Sequence, residues 1–299
     1  MKRILILILV LGVITLPLSA LAAGQIKLKY VGTIYTDTTG AALNHPAGVT
    51  IADDLLLVAD SGGKRILSYR IQGGEVTPDK VYPLPNMFPL MVEPADNGGL
   101  YVLDGRAREI FVLGPDGKVK GKYAAKGLPD SKRIVPRSIR TGADGTLLVL
   151  DIFSARVLVF DRGGNFLRQL PFPALYGAIS DMTMDKRGNI YLLDSVQAAV
   201  WVARSGTDSF EALTSGMKDN MNFPTSLATD NLGNLFLVDK HGSGLAIVGS
   251  DGTFSGRRLS MGWSDSHLYY PNEISISDDG NLFIADTANN RIQQFNITE

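Results

Sequence analysis

Residues 271–297 read PNEISISDDGNLFIADTANNRIQQFNI, and this stretch decides the fold. A short apolar segment follows Pro271, a turn rich in Asp, Gly and Asn comes next, and an apolar run then ends at Asp286. A second turn leads into another alternating segment, which begins at Arg291. Turn residues at this spacing between short β-rich runs predict consecutive antiparallel hairpins.

The same pattern recurs six times along the chain. Each copy contains an apolar run that ends in an aspartate: Asp60, Asp104, Asp151, Asp194, Asp239 and Asp286. A proline precedes the aspartate at a nearly constant distance in five copies, and Ile179 takes its place in the fourth. Four antiparallel strands about every 45 residues are typical of a propeller blade. We therefore predict an all-β chain folded as a six-bladed β-propeller.

The repeated motif resembles the NHL repeat, in which an arginine lies five residues after the aspartate and an apolar residue follows it. Three copies keep this arginine and three replace it: Arg65, Arg156 and Arg291, against Glu109, Ala199 and Gly244. The resemblance extends over roughly residues 26–298 and implies a six-bladed ring. Because the aspartate occurs in all six copies, we interpret it as a structural cap of the following turn.

The last copy lacks a fourth strand, since it stops after the segment that ends at Ile297. Residues 26–35, IKLKYVGTIY, precede the first full copy and have the composition of a strand without a partner. A closed ring leaves no exposed strand edge. We therefore predict that the N-terminal strand completes the sixth blade.

The first 23 residues predict an export signal. Lys2 and Arg3 precede a long apolar run, Pro17 follows it, and the small residues of the sequence ALA at 20–22 suit signal peptidase. We expect a signal peptide over residues 1–23, the propeller over residues 24–299, and a periplasmic or secreted location. The alternative is an uncleaved segment that anchors the chain in a membrane.

The net charge, the cysteine content and the motifs limit the classes of function that fit the sequence. The 29 basic and 30 acidic residues give a net charge of −1, which does not favour nucleic acid as a partner. The absence of cysteine excludes thiolate catalysis and cysteine-ligated metals. Neither a phosphate-binding glycine loop nor a G-x-S-x-G nucleophile motif is present, so the motifs identify no catalytic residue.

One face of a propeller carries the connectors between blades and the loops between second and third strands; we call it the mouth face. Residues 261–270, MGWSDSHLYY, form an aromatic connector there, and the third copy contributes two arginines. Aromatic and arginine side chains favour recognition surfaces. The candidate partner-binding residues are Trp263, His267, Tyr269, Tyr270, Arg137 and Arg140. The alternative is that the aromatic residues cover the seam beside the sixth blade.

All three histidines are expected on the mouth face, together with two acidic residues. The candidate metal ligands are His45, His241, His267, Asp181 and Glu273, for a divalent ion such as zinc or calcium. The resemblance adds that six-bladed propeller enzymes, such as peptide-amidating lyases and gluconolactonase-like hydrolases, hold catalytic metals at this face. The alternative is three unrelated surface histidines.

Two functions follow from these features. The first is an exported, non-catalytic scaffold whose mouth face binds a protein, peptide or glycan partner in the cell envelope. The alternative is a metal-dependent lyase or hydrolase, in which Arg137 or Arg140 would orient an anionic substrate.

Overall fold

A computed structural model describes residues 26–130, 133–214 and 216–298. The predicted signal peptide lies outside the described residues. Six four-stranded antiparallel sheets form the blades of a β-propeller, which confirms the predicted fold class. Helical structure in the described ranges is limited to short 3-10 turns at Asp96–Gly98, Met217–Asp219 and Thr287–Asn289. No helix within these ranges is long and apolar enough to cross a membrane.

Each blade from one to five uses four consecutive strands. Blade one contains β2 (Pro46–Ala52), β3 (Leu55–Asp60), β4 (Arg65–Gln72) and β5 (Glu75–Pro83). Blade two contains β6 (Pro89–Pro94), β7 (Leu100–Asp104), β8 (Glu109–Leu113) and β9 (Val119–Lys122). Blade three contains β10 (Pro136–Thr141), β11 (Leu147–Asp151), β12 (Arg156–Phe160) and β13 (Phe166–Pro171).

Blades four and five follow the same order, and blade six takes one strand from the N-terminus. Blade four contains β14 (Ile179–Met184), β15 (Ile190–Asp194), β16 (Ala199–Ala203) and β17 (Glu211–Ala212). Blade five contains β18 (Pro224–Thr229), β19 (Leu235–Asp239), β20 (Gly244–Val248) and β21 (Phe254–Arg258). The next connector contains β22 (Ser260–Met261) and β23 (His267–Leu268). Blade six contains β24 (Ile274–Ile276), β25 (Asn281–Asp286), β26 (Arg291–Thr298) and β1 (Lys27–Ile34).

Strand register places the connectors and the loops after the second strands on one face. The residue at the proline position pairs with the strand-ending aspartate in blades one to five, for example Pro136 with Asp151 and Ile179 with Asp194. First strands of neighbouring blades contact one another around the ring, so they line its central axis. The mouth face therefore surrounds the opening of this axis, as predicted.

The core consists of six apolar clusters, each shared by two neighbouring blades. Between blades five and six, for example, Phe236 and Ile247 pack with Leu282 and Phe295, and all four are fully buried. Burial of a large apolar side chain contributes about 1.5–3 kcal/mol. Because each cluster needs two blades, a single blade cannot bury its apolar faces alone.

The ring closes through the N-terminal strand, as predicted. β1 pairs antiparallel with β26 along its length, from Lys27 opposite Thr298 to Ile34 opposite Ile292. The ring of Tyr30 packs edge-on against that of Phe295, with 5.9 Å between centroids. The closure therefore joins the two ends of the chain by backbone hydrogen bonds and by apolar contact.

The strand-ending aspartates are buried and hold the connectors in place. Asp194 accepts hydrogen bonds from four backbone N–H groups. Two come from residues that precede it in the chain, Gly177 and Ala178, and two from residues that follow it, Val196 and Gln197. These residues belong to the connector before the blade and to the loop after the aspartate. The contacts support the interpretation of this residue type as a structural cap.

Removal of residues 26–35 should destabilise the whole ring, because it exposes the edge of β26 and uncovers part of the core between blades five and six. We expect the melting temperature to fall by at least about 10 °C, in line with the loss of several kcal/mol. Replacement of the exposed Lys27 and Lys29 by alanine keeps the backbone pairing and should leave it unchanged. Thermal unfolding monitored by circular dichroism measures the melting temperature of both variants. An unchanged melting temperature after the deletion would refute closure of the ring by β1.

Candidate functional site

Four charged side chains meet at the centre of the ring. Arg140 of blade three lies with its Nη1 atom 2.6 Å from Glu273 Oε1 and 3.5 Å from Glu93 Oε1, and its Nη2 atom is 3.0 Å from Asp181 Oδ2. The three carboxylates come from blades six, two and four. All three are 3% exposed. We call these four residues the axial cluster.

A backbone N–H group and a side-chain hydroxyl from other blades also donate hydrogen bonds to the axial cluster. Glu273 Oε2 accepts from the N–H of Val49 at 3.1 Å, and Asp181 accepts from the Ser138 hydroxyl at 2.6 Å. A Cβ atom on Gly48 would lie only 2.9 Å from Glu273 Oε2. The glycine of blade one therefore makes room for the carboxylate of blade six.

Burial changes the acidity of the two glutamates. Desolvation raises the pKa of Glu93 to about 7 and that of Glu273 to about 8, and Arg140 opposes both shifts. The nearby carboxylates raise the pKa of Arg140 against the effect of its burial, so the guanidinium stays charged. At neutral pH the axial cluster therefore carries less negative charge than three free carboxylates would give.

The axial cluster separates two cavities. Asp181 and Glu273 line a pocket of about 320 Å³ on the mouth face, which we call the mouth pocket. Glu93 and Arg140 line a cavity of about 190 Å³ toward the opposite face. The walls of the mouth pocket are formed by side chains of blades two to six: Leu90, Met91, Arg137, Ser180, Phe223, Thr225, Ser226, Lys240, His241 and Asn272.

A row of ring side chains runs from the mouth pocket across blades five and six. Neighbouring rings lie 5.0–6.0 Å apart between centroids, and the first pair is stacked at 17°. In spatial order the members of this aromatic row are Phe223, His241, Tyr270, Tyr269 and Trp263. Trp263 is 73% exposed, whereas a ring that only covers a seam would be buried.

Apolar side chains are also exposed on the mouth face of blades three and four. Most large apolar side chains that are exposed in the described residues lie on the mouth face rather than on the sides or the opposite face. The five from blades three and four, which we call the apolar patch, are Ile152, Phe153, Leu175, Tyr176 and Val196. Leu175 is 79% exposed and Phe153 is 64% exposed.

The candidate metal ligands do not converge on one point. The ring of His45 contacts the side chain of Asn44, that of His241 belongs to the aromatic row, and that of His267 contacts Ser264. Asp181 and Glu273 contact Arg140 instead. The described residues contain no group of three or more His, Asp or Glu side chains that could hold a metal ion. These residues therefore do not fit a zinc or calcium site in this arrangement.

The predicted partner-binding residues are found in three places. Trp263, Tyr269 and Tyr270 lie together in the aromatic row, and Arg137 lines the mouth pocket. His267 lies beside the row and is half-buried. Arg140 belongs to the axial cluster, where its guanidinium forms ion pairs with three carboxylates.

Sequence reasoning missed Lys240 and the apolar patch. The residue after each strand-ending aspartate would have been a signal for Lys240 and for Ile152 of the apolar patch, because it is small in four copies and large in two. In chain order these residues are Ser61, Gly105, Ile152, Ser195, Lys240 and Thr287. Among these six equivalent positions, only Ile152 and Lys240 have large side chains.

The ring of six blades around a central axis defines the chain as a six-bladed β-propeller. The NHL repeat family model matches residues 268–295, which cover most of the sixth blade, and the six blades of the structure support the resemblance to NHL-repeat propellers. No curated protein sequence matches the chain.

Solved structures share its fold. A gluconolactonase from Xanthomonas campestris is 14% identical, with a TM-score of 0.65, over 91% of this chain and 98% of that chain. The virginiamycin B lyase of Staphylococcus aureus is 15% identical, with a TM-score of 0.58, over 91% of this chain and all of that chain. A protein of unknown function from Bacteroides thetaiotaomicron is 14% identical, with a TM-score of 0.63, over 91% and 76% of the two chains.

Replacement of Arg140 by methionine should destabilise the ring strongly, because three buried carboxylates lose their shared counterion. We expect a loss of about 3–5 kcal/mol in the free energy of unfolding, larger at pH 8 than at pH 5. The matched control is Arg70→Met, since Arg70 forms only surface ion pairs with Asp54 and Asp79. This variant should lose less than about 1 kcal/mol in the free energy of unfolding. Urea unfolding measures both variants. Equal stability of the two at pH 8 would contradict a central role for Arg140.

The raised pKa of Glu273 predicts a fall in stability as the pH rises. The folded state holds this proton up to about pH 8, whereas the unfolded chain releases it at the ordinary carboxyl value. The stabilisation that the protonated side chain provides is therefore complete below the ordinary carboxyl pKa, and it is lost as the pH rises from about 5 to 8. Glu273→Gln should reduce the decline by about 2 kcal/mol. The exposed Glu75→Gln variant should keep the wild-type slope in urea unfolding across this range.

Proposed function

We propose that this propeller is an exported binding scaffold whose mouth face binds a protein or peptide partner. The observation that carries the proposal is the concentration of exposed apolar side chains on that face, in the aromatic row and the apolar patch. Exposed apolar side chains grouped on one face mark binding surfaces, and large aromatic anchors contribute most of the affinity at such sites.

The chemistry of the two surfaces favours a polypeptide over a glycan. Aromatic rings suit both kinds of ligand, because they offer a broad apolar face and, in Tyr and Trp, a polar edge. The aliphatic side chains of Ile152, Leu175 and Val196 suit apolar residues of a polypeptide. A partner that spans the mouth pocket would contact both surfaces at once.

The second candidate is the metal-dependent lyase or hydrolase. It is favoured by the fold, since a gluconolactonase and a virginiamycin B lyase share it. The separate positions of the histidines argue against it, because a catalytic metal needs about three protein ligands at one point. We therefore place the binding scaffold first. About one equivalent of zinc or calcium in the purified protein, lost on His45→Ala, would reverse this order.

Peptides selected from a displayed random library on the immobilised propeller test the proposal. The double variant Phe153→Ala with Trp263→Ala should bind the selected peptides at least tenfold more weakly, a loss of about 1.4 kcal/mol, because it removes one anchor from each surface. The matched control is Leu167→Ala with Leu232→Ala, which removes exposed apolar side chains that lie away from the mouth face. Isothermal titration calorimetry measures the affinities.

Two results would count against the proposal. Equal affinity of the mouth-face variant and the control would show that the peptides bind elsewhere, and a library that yields no binding peptide would remove its basis. A glycan partner would depend on the aromatic row alone. In that case Leu175→Ala with Val196→Ala would leave binding of the natural partner unchanged.

A further inference from the structure

Two cations line the mouth pocket without a carboxylate partner. Arg137 is exposed at the pocket wall, and the half-buried Lys240 donates a hydrogen bond from its Nζ atom to Asn272 Oδ1 at 3.1 Å. Neither residue forms an ion pair with any of the described residues, whereas Arg140 below them contacts three carboxylates. Partial burial and the nearby charge of Arg137 lower the pKa of Lys240. The two positive charges are thus close enough to repel each other.

A buried hydroxyl completes the set of donors. Ser226 lines the same pocket and is 2% exposed, and its Oγ atom has no hydrogen-bond partner within the described part of the chain. The other two hydroxyls of the pocket already donate to carbonyl oxygens, Thr225 to Asn272 and Ser180 to Leu193. A buried polar group without a partner is costly unless a ligand satisfies it.

We infer that the mouth pocket binds a carboxylate group of the partner, held by Arg137 and Lys240 with Ser226 as a further donor. A guanidinium pairs with a carboxylate through two parallel hydrogen bonds, and the charge of the ligand relieves the repulsion between the two cations. Phe223 and His241 form the adjacent wall, where an apolar or aromatic portion of the same ligand would stack.

The floor of the pocket favours a monoanion. Asp181 and Glu273 lie there, and Arg140 together with the raised pKa of Glu273 offsets part of their negative charge. A dianionic group such as phosphate would meet stronger repulsion from this floor than a carboxylate would. A carboxylate in a polypeptide is either the C-terminus or the side chain of an acidic residue. The assignment of a peptide partner rests on the proposed function, whereas the anion pocket does not.

N-acetylphenylalanine and its amide are the matched probes, since they differ only in whether the terminal group is a charged carboxylate or a neutral amide. The acid should bind the full chain with a Kd on the order of 1 mM and at least tenfold more tightly than the amide, as followed by NMR titration of the amides around Ser226. The variant Arg137→Gln with Lys240→Gln should lose this preference, and Arg137→Lys with Lys240→Arg should restore part of it. Added salt should weaken the binding of the acid only.

Three outcomes would overturn the inference: equal binding of acid and amide, an unchanged preference in the glutamine variant, or no binding of the acid at about 20 mM, well above that Kd. The two sources of the carboxylate are separated by acetyl-Asp-Phe-amide, in which only the side chain is charged. Tighter binding of this probe would assign an acidic residue, and tighter binding of N-acetylphenylalanine would assign a C-terminus. If the acid binds but Phe153→Ala with Trp263→Ala does not affect peptide affinity, the anion pocket stands and the proposed docking face fails.

Discussion

The ring depends on one buried carboxylate at the end of each second strand. In five of the six blades it accepts hydrogen bonds from the connector that enters the same blade, as Asp60 does from the N–H of Asn44 and Asp239 from that of Asn222. Each contact thus joins a blade to the chain that arrives from the preceding blade. Asp104 of blade two accepts only from the loop that follows it. Since buried backbone N–H groups need partners, the aspartate satisfies a requirement that recurs at five of the connectors. The orientation of the connectors, and with it the mouth face, follows from this contact.

An arginine accompanies this aspartate in four of the six blades, and in blade five it comes from a different strand. In blade one Arg65 Nε lies 2.7 Å from Asp60 Oδ2. In blade five Gly244 occupies the arginine position, and Arg257 reaches Asp239 from the outer strand instead, at 2.5 Å. A Cβ atom on Gly244 would lie 2.9 Å from the guanidinium of Arg257. In blade five the arginine therefore comes from another strand, whereas in blades two and four Asp104 and Asp194 accept hydrogen bonds from backbone N–H groups instead.

The repeat pattern predicts the fold almost completely, because turns, prolines and strand ends are local signals. It predicts even the pairing of residues 26–35 with the last strand, since a ring allows no unpaired edge. The axial cluster could not be predicted in the same way. Arg140 meets Glu93 and Glu273 across the ring, and only the relative rotation of the blades decides which inner side chains touch. The aromatic residues of 261–270 could be identified by composition, whereas Lys240 required a comparison of equivalent loop positions.

Because β1 pairs with β26, the ring cannot close until both of these strands are available. Among the described residues the first strand pairs with the last, so the contact with the largest sequence separation is also the one that closes the ring. Contacts of such large sequence separation form slowly, because they require closure of a long loop. Until the C-terminal strand arrives, five blades can stack while the sixth remains incomplete. The ring therefore stays open at one edge until β26 is available, and a protein that binds exposed strands has that edge as its target in the meantime.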